Sequence, residues 1–162
     1  MKTTRKGFTL IELIVVIAII GVLAAILVPA MLGWVKKSKI QAANADAKTI
    51  MTNINAGLEE MDEEGLDPLT DGWYTQNGLT ASDWATAVQY ASYYGDTIVS
   101  GKYAIWIKGG VAVACVSKSG KYYGTYPAAL TNKNYDSKMG SNKNLSAAKV
   151  VAESAYNANH SS

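Results

Sequence analysis

Residues on which many small folds rely are scarce in this chain of 162 amino acids. One cysteine cannot form an intramolecular disulfide, and one cysteine with one histidine cannot form a Cys/His zinc cluster. The fold must therefore be held together by packing. Fifteen basic residues stand against thirteen acidic ones, so the chain also lacks the strongly basic balance typical of nucleic-acid binding. Its length fits one domain with an appendage.

Charge is nearly absent from one long stretch, because Glu12 is the only charged side chain among the 27 residues at 8–34. A helix of that length measures ~40 Å, which exceeds the ~30 Å hydrocarbon core of a bilayer. Three basic residues and no acid precede the stretch, so the positive-inside rule predicts a cytoplasmic N-terminus. A secretory signal peptide fits less well, because the apolar run is too long and Trp-Val-Lys-Lys follows it.

Glu12 lies near the cytoplasmic end of this run. An ionised carboxylate deep in a membrane helix costs ~2.5–3.5 kcal/mol, so such a residue is by default a candidate for function. The plainer interpretation is that Glu12 lies shallow enough to stay hydrated. The functional interpretation requires a cation nearby.

The segment KGFTLIE at residues 6–12, followed by the apolar run with Pro29, resembles the class III signal of type IV prepilins and type II secretion pseudopilins. The resemblance covers about residues 1–40 and is only architectural beyond them. It implies cleavage after Gly7 by a prepilin peptidase, N-methylation of Phe8, and retention of the apolar segment. Glu12 then falls where these families keep a glutamate.

In a filament, Glu12 of one subunit could pair with the amine of a neighbour's Phe8. Each charge would be costly alone in a nonpolar surround, so their pairing would set the axial register and select processed subunits.

Pro29 removes a helical hydrogen bond, and we expect a kink or a melted stretch near residues 22–29. The assembly residues implied by the resemblance are thus Phe8, Glu12 and Pro29.

The helix is predicted to continue past residue 34 to about residue 64, with Gly65 as its C-cap and Pro68 blocking continuation. Apolar residues recur there at steps of three or four and predict one packing face. They are Ile40, Ala43, Ala47, Ile50, Ile54, Leu58 and Met61.

The remaining chain predicts a small α+β head. It begins with a loop at 66–80 and a short helix at 83–94. An antiparallel meander of three strands follows at 102–108, 111–117 and 121–126, with Gly109-Gly110 as a hairpin turn. A further helix is expected at 146–157. The fold class is therefore α+β, a long N-terminal helix packed on a small antiparallel sheet. We expect a leader at 1–7, a transmembrane and filament-core helix at 8–34, and an extracellular head at 35–162.

Charge is divided unevenly within the head. Residues 59–71 carry seven acids and no base, whereas residues 101–149 carry eight lysines and one acid. The two groups could face each other within one subunit, or they could meet between subunits and favour correct encounter.

The sequence lacks a grouping of residues typical of a catalytic site, and neither a metal nor a cofactor is expected. Cys115 lies in a run typical of a buried strand, with no histidine near it in sequence, so it is interpreted as a structural thiol. Aromatic rings can stack on sugars, which makes Trp73, Tyr74 and Trp84 candidates for a polysaccharide-binding surface.

The favoured function is a non-enzymatic subunit of a type IV pilus-like surface filament, with a role in adhesion or motility. Its expected partners are copies of itself, the prepilin peptidase, a pilus assembly platform, membrane lipid before assembly and a surface polysaccharide; no nucleic acid is expected. One alternative is a pseudopilin of a secretion or DNA-uptake machine. Another is a signal-anchored carbohydrate-binding module that never polymerises.

The signal predicts a mature chain that begins at Phe8 with a methylated amine. Mass spectrometry of protein sheared from the cell surface should show this N-terminus, and an intact 1–7 leader would contradict it. Replacing Gly7 with a bulky residue should leave unprocessed protein in the membrane.

Overall fold

A computed structural model describes residues 7–76, 82–96, 98 and 102–160 of the chain. The chain divides into two compact units, Met1–Val35 and Lys36–Ser162, here called the N-terminal unit and the head unit. Of the leader predicted at residues 1–7, only Gly7 is among the described residues.

Helix α1 runs from Leu10 to Glu63. The predicted packing face in its second half is confirmed, because all seven of its apolar residues are buried. α1 is helical on both sides of Pro29, so residues 22–29 show no melted stretch, and the other expected outcome, a kink at Pro29, stays a prediction. Proline removes a single N–H donor, and the neighbouring residues keep helical geometry.

The C-terminal end of α1 has the geometry of a Schellman motif, which confirms the predicted role of Gly65. Gly65 has a φ of +72°, a conformation that glycine adopts without penalty. The Leu66 N–H donates to the Met61 carbonyl at 2.9 Å, and the Gly65 N–H donates to the Asp62 carbonyl at 3.0 Å. Hydrogen bonds between backbone groups therefore end the helix at this position.

The head unit contains a four-stranded antiparallel sheet in the order β1-β2-β3-β4. Its strands are β1 Gly72–Thr75, β2 Tyr103–Lys108, β3 Val111–Ser119 and β4 Tyr122–Tyr126. The last three confirm the predicted meander, and the turn at Gly109-Gly110 has the positive φ angles that a two-residue hairpin requires. Strand β1 corrects the loop predicted at 66–80, of which residues 77–80 lie outside the described part. Four residues are too short a pattern to predict a strand whose partner follows about 30 residues later.

Three further helices of the head unit lie wholly within the described residues: α2 Ser82–Ser92, α3 Tyr135–Met139 and α4 Leu145–Asn159. One core cluster joins the second half of α1 and helix α2 to one face of the sheet. A second cluster joins α3 and α4 to strands β3 and β4. The sequence predicted cover for only one face, so the second covered face is a finding of the structure.

Two glycines allow backbones to approach closely in the head unit. A Cβ on Gly124 of β4 would lie 2.2 Å from the Ala43 carbonyl carbon and from the Asn44 nitrogen. A Cβ on Gly57 of α1 would lie 2.6 Å from the nitrogen of Ala91 in α2. Since both obstacles are backbone atoms, neither contact could be relieved by rotating a side chain.

Two asparagines of α1 hydrogen-bond the backbone of the strands and of the segment after β4 through their side-chain amides. The Asn44 Oδ1 accepts from the N–H groups of Thr125 and Leu130 at 3.0 and 3.2 Å, and its Nδ2 donates to the Leu130 carbonyl at 2.6 Å. Asn55 accepts from the Ala112 N–H at 2.8 Å and donates to the Ala112 carbonyl at 3.1 Å. These bonds satisfy backbone groups that would otherwise be orphaned beneath the helix.

A carboxylate bridges two lysines on the surface of the head unit. Asp136 of α3 contacts the Nζ atoms of Lys36 and Lys143, each at 2.7 Å. The hydrogen bond from Lys143, and to a lesser extent the one from Lys36, lowers the pKa of Asp136 to about 2. The pair with Lys36 connects α3 to α1 across a hundred residues of sequence.

Gly124→Ala should destabilise the head unit by about 1–3 kcal/mol or more, because the added methyl group would force β4 away from α1. Urea unfolding of the detergent-solubilised chain measures this loss. Gly72→Ala is the matched control, since it also adds a methyl group to a strand glycine but meets nothing within 4 Å. Equal midpoints for the two variants would contradict the close approach.

Asp136→Asn should lower the urea midpoint at pH 7 but not at pH 2. The pKa of Asp136 is lower in the folded chain than the unfolded value of ~3.9, so its contribution is present above pH ~4 and is lost as pH falls towards 2. Asp67→Asn is a control for removing an exposed acid. A difference between wild type and Asp136→Asn that is independent of pH would show that the ion pairs are not responsible.

Candidate assembly site

The start of α1 is closed by a reciprocal capping box between Thr9 and Glu12. The Thr9 N–H donates to Glu12 Oε2 at 2.8 Å, and the Thr9 hydroxyl donates to the same oxygen at 2.6 Å. The Glu12 N–H in turn donates to Thr9 Oγ1 at 3.4 Å. This box was not predicted, although the spacing Thr-x-x-Glu before an apolar run is its signature.

The capping box uses only one oxygen of the Glu12 carboxylate. Within the described part of the chain, Oε1 makes no hydrogen bond, and the side chain is exposed. Glu12 and Phe8 line a shallow depression of about 320 Å³ whose other residues are apolar. Phe8 itself is 78% exposed. The arrangement therefore presents a fixed carboxylate on an otherwise apolar surface.

The first half of α1 is apolar and uncovered. Every residue from 8 to 35 is exposed, and α1 contains a stretch long and apolar enough to cross a membrane, none of it buried within the chain. Pro29 lies in this exposed part. Burying apolar surface is worth roughly 25 cal/mol per Å², so such a helix is stable only under cover from lipid or from other chains.

The three aromatic residues predicted as a ligand surface do not form one. Trp84 is fully buried, and its indole N–H donates to the Thr75 carbonyl at 3.2 Å. Tyr74 packs on Trp84 with ring centroids 5.0 Å apart. Trp73 lies on the other face of the sheet and stacks with Trp106 at 6.0 Å. Alternation along β1 separates Trp73 from Tyr74, which is the physical reason that the three side chains do not share one surface.

Reactive groups do not converge elsewhere in the described residues. Cys115 is fully buried, and burial raises the pKa of its thiol, as expected for a structural cysteine. Among the residues that the structure describes, no group of three or more His, Cys, Asp or Glu side chains is placed to hold a metal ion.

Comparison with known proteins agrees with the N-terminal geometry. A family model described as the prokaryotic N-terminal methylation motif matches residues 2–28. The chain is 40% identical to the type IV major fimbrial protein FimA of Dichelobacter nodosus over 82 residues, or 51% of each chain. It is 39% identical to the type IV major alpha-pilin of Moraxella bovis over 82 residues, covering 51% of this chain and 52% of that one.

A third relative aligns over more of the chain. The type IV major pilin protein PilE1 of Neisseria gonorrhoeae is 33% identical over 117 residues, covering 67% of this chain and 55% of the relative. The alignments thus span about half the length of the curated relatives. No solved structure matches the chain.

The methylation motif, the exposed apolar helix and the α+β head together define a pilin-like protein. The chain belongs to the type IV pilin family.

Proposed function

We propose that this chain is a structural subunit of a type IV pilus-like surface filament, assembled from a pool held in the membrane. The observation that carries the proposal is the fully exposed apolar surface of residues 8–35. Lipid covers that surface before assembly, and the same segments of other subunits cover it afterwards. The relatives are named as major pilins and fimbrial proteins, which favours a pilus over a secretion pseudopilus.

Processing precedes assembly in this proposal. A prepilin peptidase removes residues 1–7 on the cytoplasmic side, and the new amine of Phe8 is methylated. The apolar helix stays in the membrane with its N-terminus cytoplasmic and the head outside. An assembly platform then extracts the subunit into the filament. The match to the methylation motif over residues 2–28 supports the processing and methylation at the N-terminus.

The Phe8 amine and Glu12 then set the register between subunits. Cleavage creates a cation close to a surface that is otherwise apolar, and Glu12 of the next subunit supplies the counter-charge. The Thr9 contacts hold one carboxylate oxygen and leave Oε1 available for that partner. Breaking a buried ion pair by removing one partner typically costs ~3–5 kcal/mol, so an unpaired subunit would be strongly disfavoured.

Glu12→Gln should give a stable, cleaved, membrane-held protein with few or no filaments. The substitution keeps the shape of the side chain but removes the charge, and the peptidase acts before the pairing exists. Electron microscopy of cells that make only this subunit measures assembly, while an immunoblot of the membrane fraction measures processing.

Glu153→Gln on α4 is the matched control, because it makes the same chemical change in the head unit and should leave filaments intact. Normal filaments formed by Glu12→Gln alone would overturn the pairing. The same amount of cleaved protein in both variants shows that lost filaments reflect assembly rather than instability.

A further inference from the structure

The acids at 59–71 gather around the C-terminal end of α1, here called the acidic end. Its members are Glu59, Glu60, Asp62, Glu63, Glu64, Asp67 and Asp71. Glu60 and Glu64 accept hydrogen bonds from the hydroxyls of Tyr94 and Tyr90, and Asp71 accepts from the Gly109 N–H at 2.7 Å. Within the described part of the chain, none of the seven acids forms an ion pair.

Lysines gather around the start of the head unit, here called the basic end. Its members are Lys36, Lys37, Lys133, Lys138 and Lys143, with Asp136 as the acid among them. Asp136 joins Lys36 to Lys143, and Lys138 lies on the same short helix α3. Lys37 and Lys133 line one cavity of about 570 Å³ beside Leu130. These five side chains therefore form one region, although they come from distant parts of the sequence.

The two ends cannot neutralise each other within one copy. Lys36 and Glu60 both lie on α1 and are separated by 24 residues, which corresponds to ~36 Å along the helix axis. That separation is several times the ~8 Å Debye length at physiological ionic strength. Contact between these two ends therefore requires two copies of the chain.

An apolar groove lies at the acidic end. It has a volume of about 540 Å³ and runs between the last turns of α1 and the β2–β3 hairpin. Leu66 and Val111 line it and are 41% and 52% exposed. Glu59 and Asp62, both exposed, supply negative charge at the same groove. Exposed apolar side chains beside carboxylates fit a lysine, whose stem is apolar and whose tip is cationic.

The turn at residues 131–134 presents such a lysine at the basic end. Lys133 is exposed, while Thr131 and Asn134 close the turn around it. The Thr131 N–H donates to Asn134 Oδ1 at 2.7 Å, and the Asn134 N–H donates to Thr131 Oγ1 at 3.3 Å. A turn already held by hydrogen bonds loses little conformational freedom when it docks.

We propose that the groove at the acidic end of one subunit receives the Lys133 turn of a second copy of this chain. The Lys133 stem packs on Leu66 and Val111, while its ammonium group meets Glu59 and Asp62. The contact joins two different surfaces, so each copy keeps one groove and one turn free and the array can extend without closing. The inference rests on the proposed function and adds a contact between head units to it.

A crosslinking experiment tests the contact in filaments of the full-length chain. In the double variant Asp62→Cys/Lys133→Cys, a short bismaleimide should join neighbouring subunits into a ladder of covalent oligomers. The native Cys115 is buried and should not react. Asp62→Cys/Gln89→Cys is the matched control, because Gln89 is exposed on α2 and lies outside the basic end. No ladder in the first variant, or equal ladders in both, would overturn the proposal.

Charge reversal gives a second, independent test. Asp62→Lys and Lys133→Glu should each lower the yield of sheared filaments roughly tenfold, because each places like charges in contact. The double reversal should recover most of that loss. Glu153→Lys, with the same change in net charge as Asp62→Lys, should assemble normally. Thermal unfolding of the membrane pool checks that each variant is folded.

The outcomes separate this inference from the proposed function. If Glu12→Gln abolishes filaments while Asp62→Lys and Lys133→Glu assemble normally, the groove contact is wrong and the filament subunit stands. A double reversal that assembles no better than either single one would also overturn the contact. A wild-type chain that forms no filaments would overturn the proposed function itself.

Discussion

The head unit depends on the burial of one face of α1 beneath a sheet and a second helix. That face has to permit close approach as well as being apolar, because β4 and α2 lie directly against the helix backbone. Gly124 and Gly57 permit those approaches, and a methyl group at either position would collide with backbone. Asn44 and Asn55 add hydrogen bonds that tie the helix to the strands. The second half of α1 is thus a structural element of the head unit as much as a continuation of an anchor.

The first half of α1 differs from the second, because every residue from 8 to 35 is exposed. A helix exposed on all sides and apolar on nearly all of them is soluble in lipid or in a bundle of its own copies. Its one carboxylate is positioned by Thr9, which satisfies part of its hydrogen-bonding capacity and leaves the rest for a partner. In the proposed function, the same residues serve both the membrane-held subunit and the assembled one.

Charge can fix the orientation of one subunit relative to another, which the apolar helix alone cannot do. Apolar surfaces pack with little preference for orientation, whereas an acidic end and a basic end ~36 Å apart distinguish one end of a head unit from the other. In the proposed filament, the pairing of Glu12 with Phe8 and the docking of Lys133 act at separate places along the subunit. Both contacts join unlike surfaces, as open-ended assembly requires.

Much of the molecule was predictable from local patterns. The buried positions of α1, its end at Gly65 and the hairpin at Gly109-Gly110 all lie within short windows, where periodicity and turn chemistry act directly. The methylation motif was predictable from its resemblance to class III signals. Strand β1, the cover on the second face of the sheet and the separation of Trp73 from Tyr74 were not predictable, because each depends on residues distant in sequence. The distribution of charge could be read from the sequence. Only the tertiary structure decided that the two charged ends lie apart, since α1 separates Lys36 from Glu60 by 24 helical residues and α3 brings Asp136 and its lysine partner to Lys36.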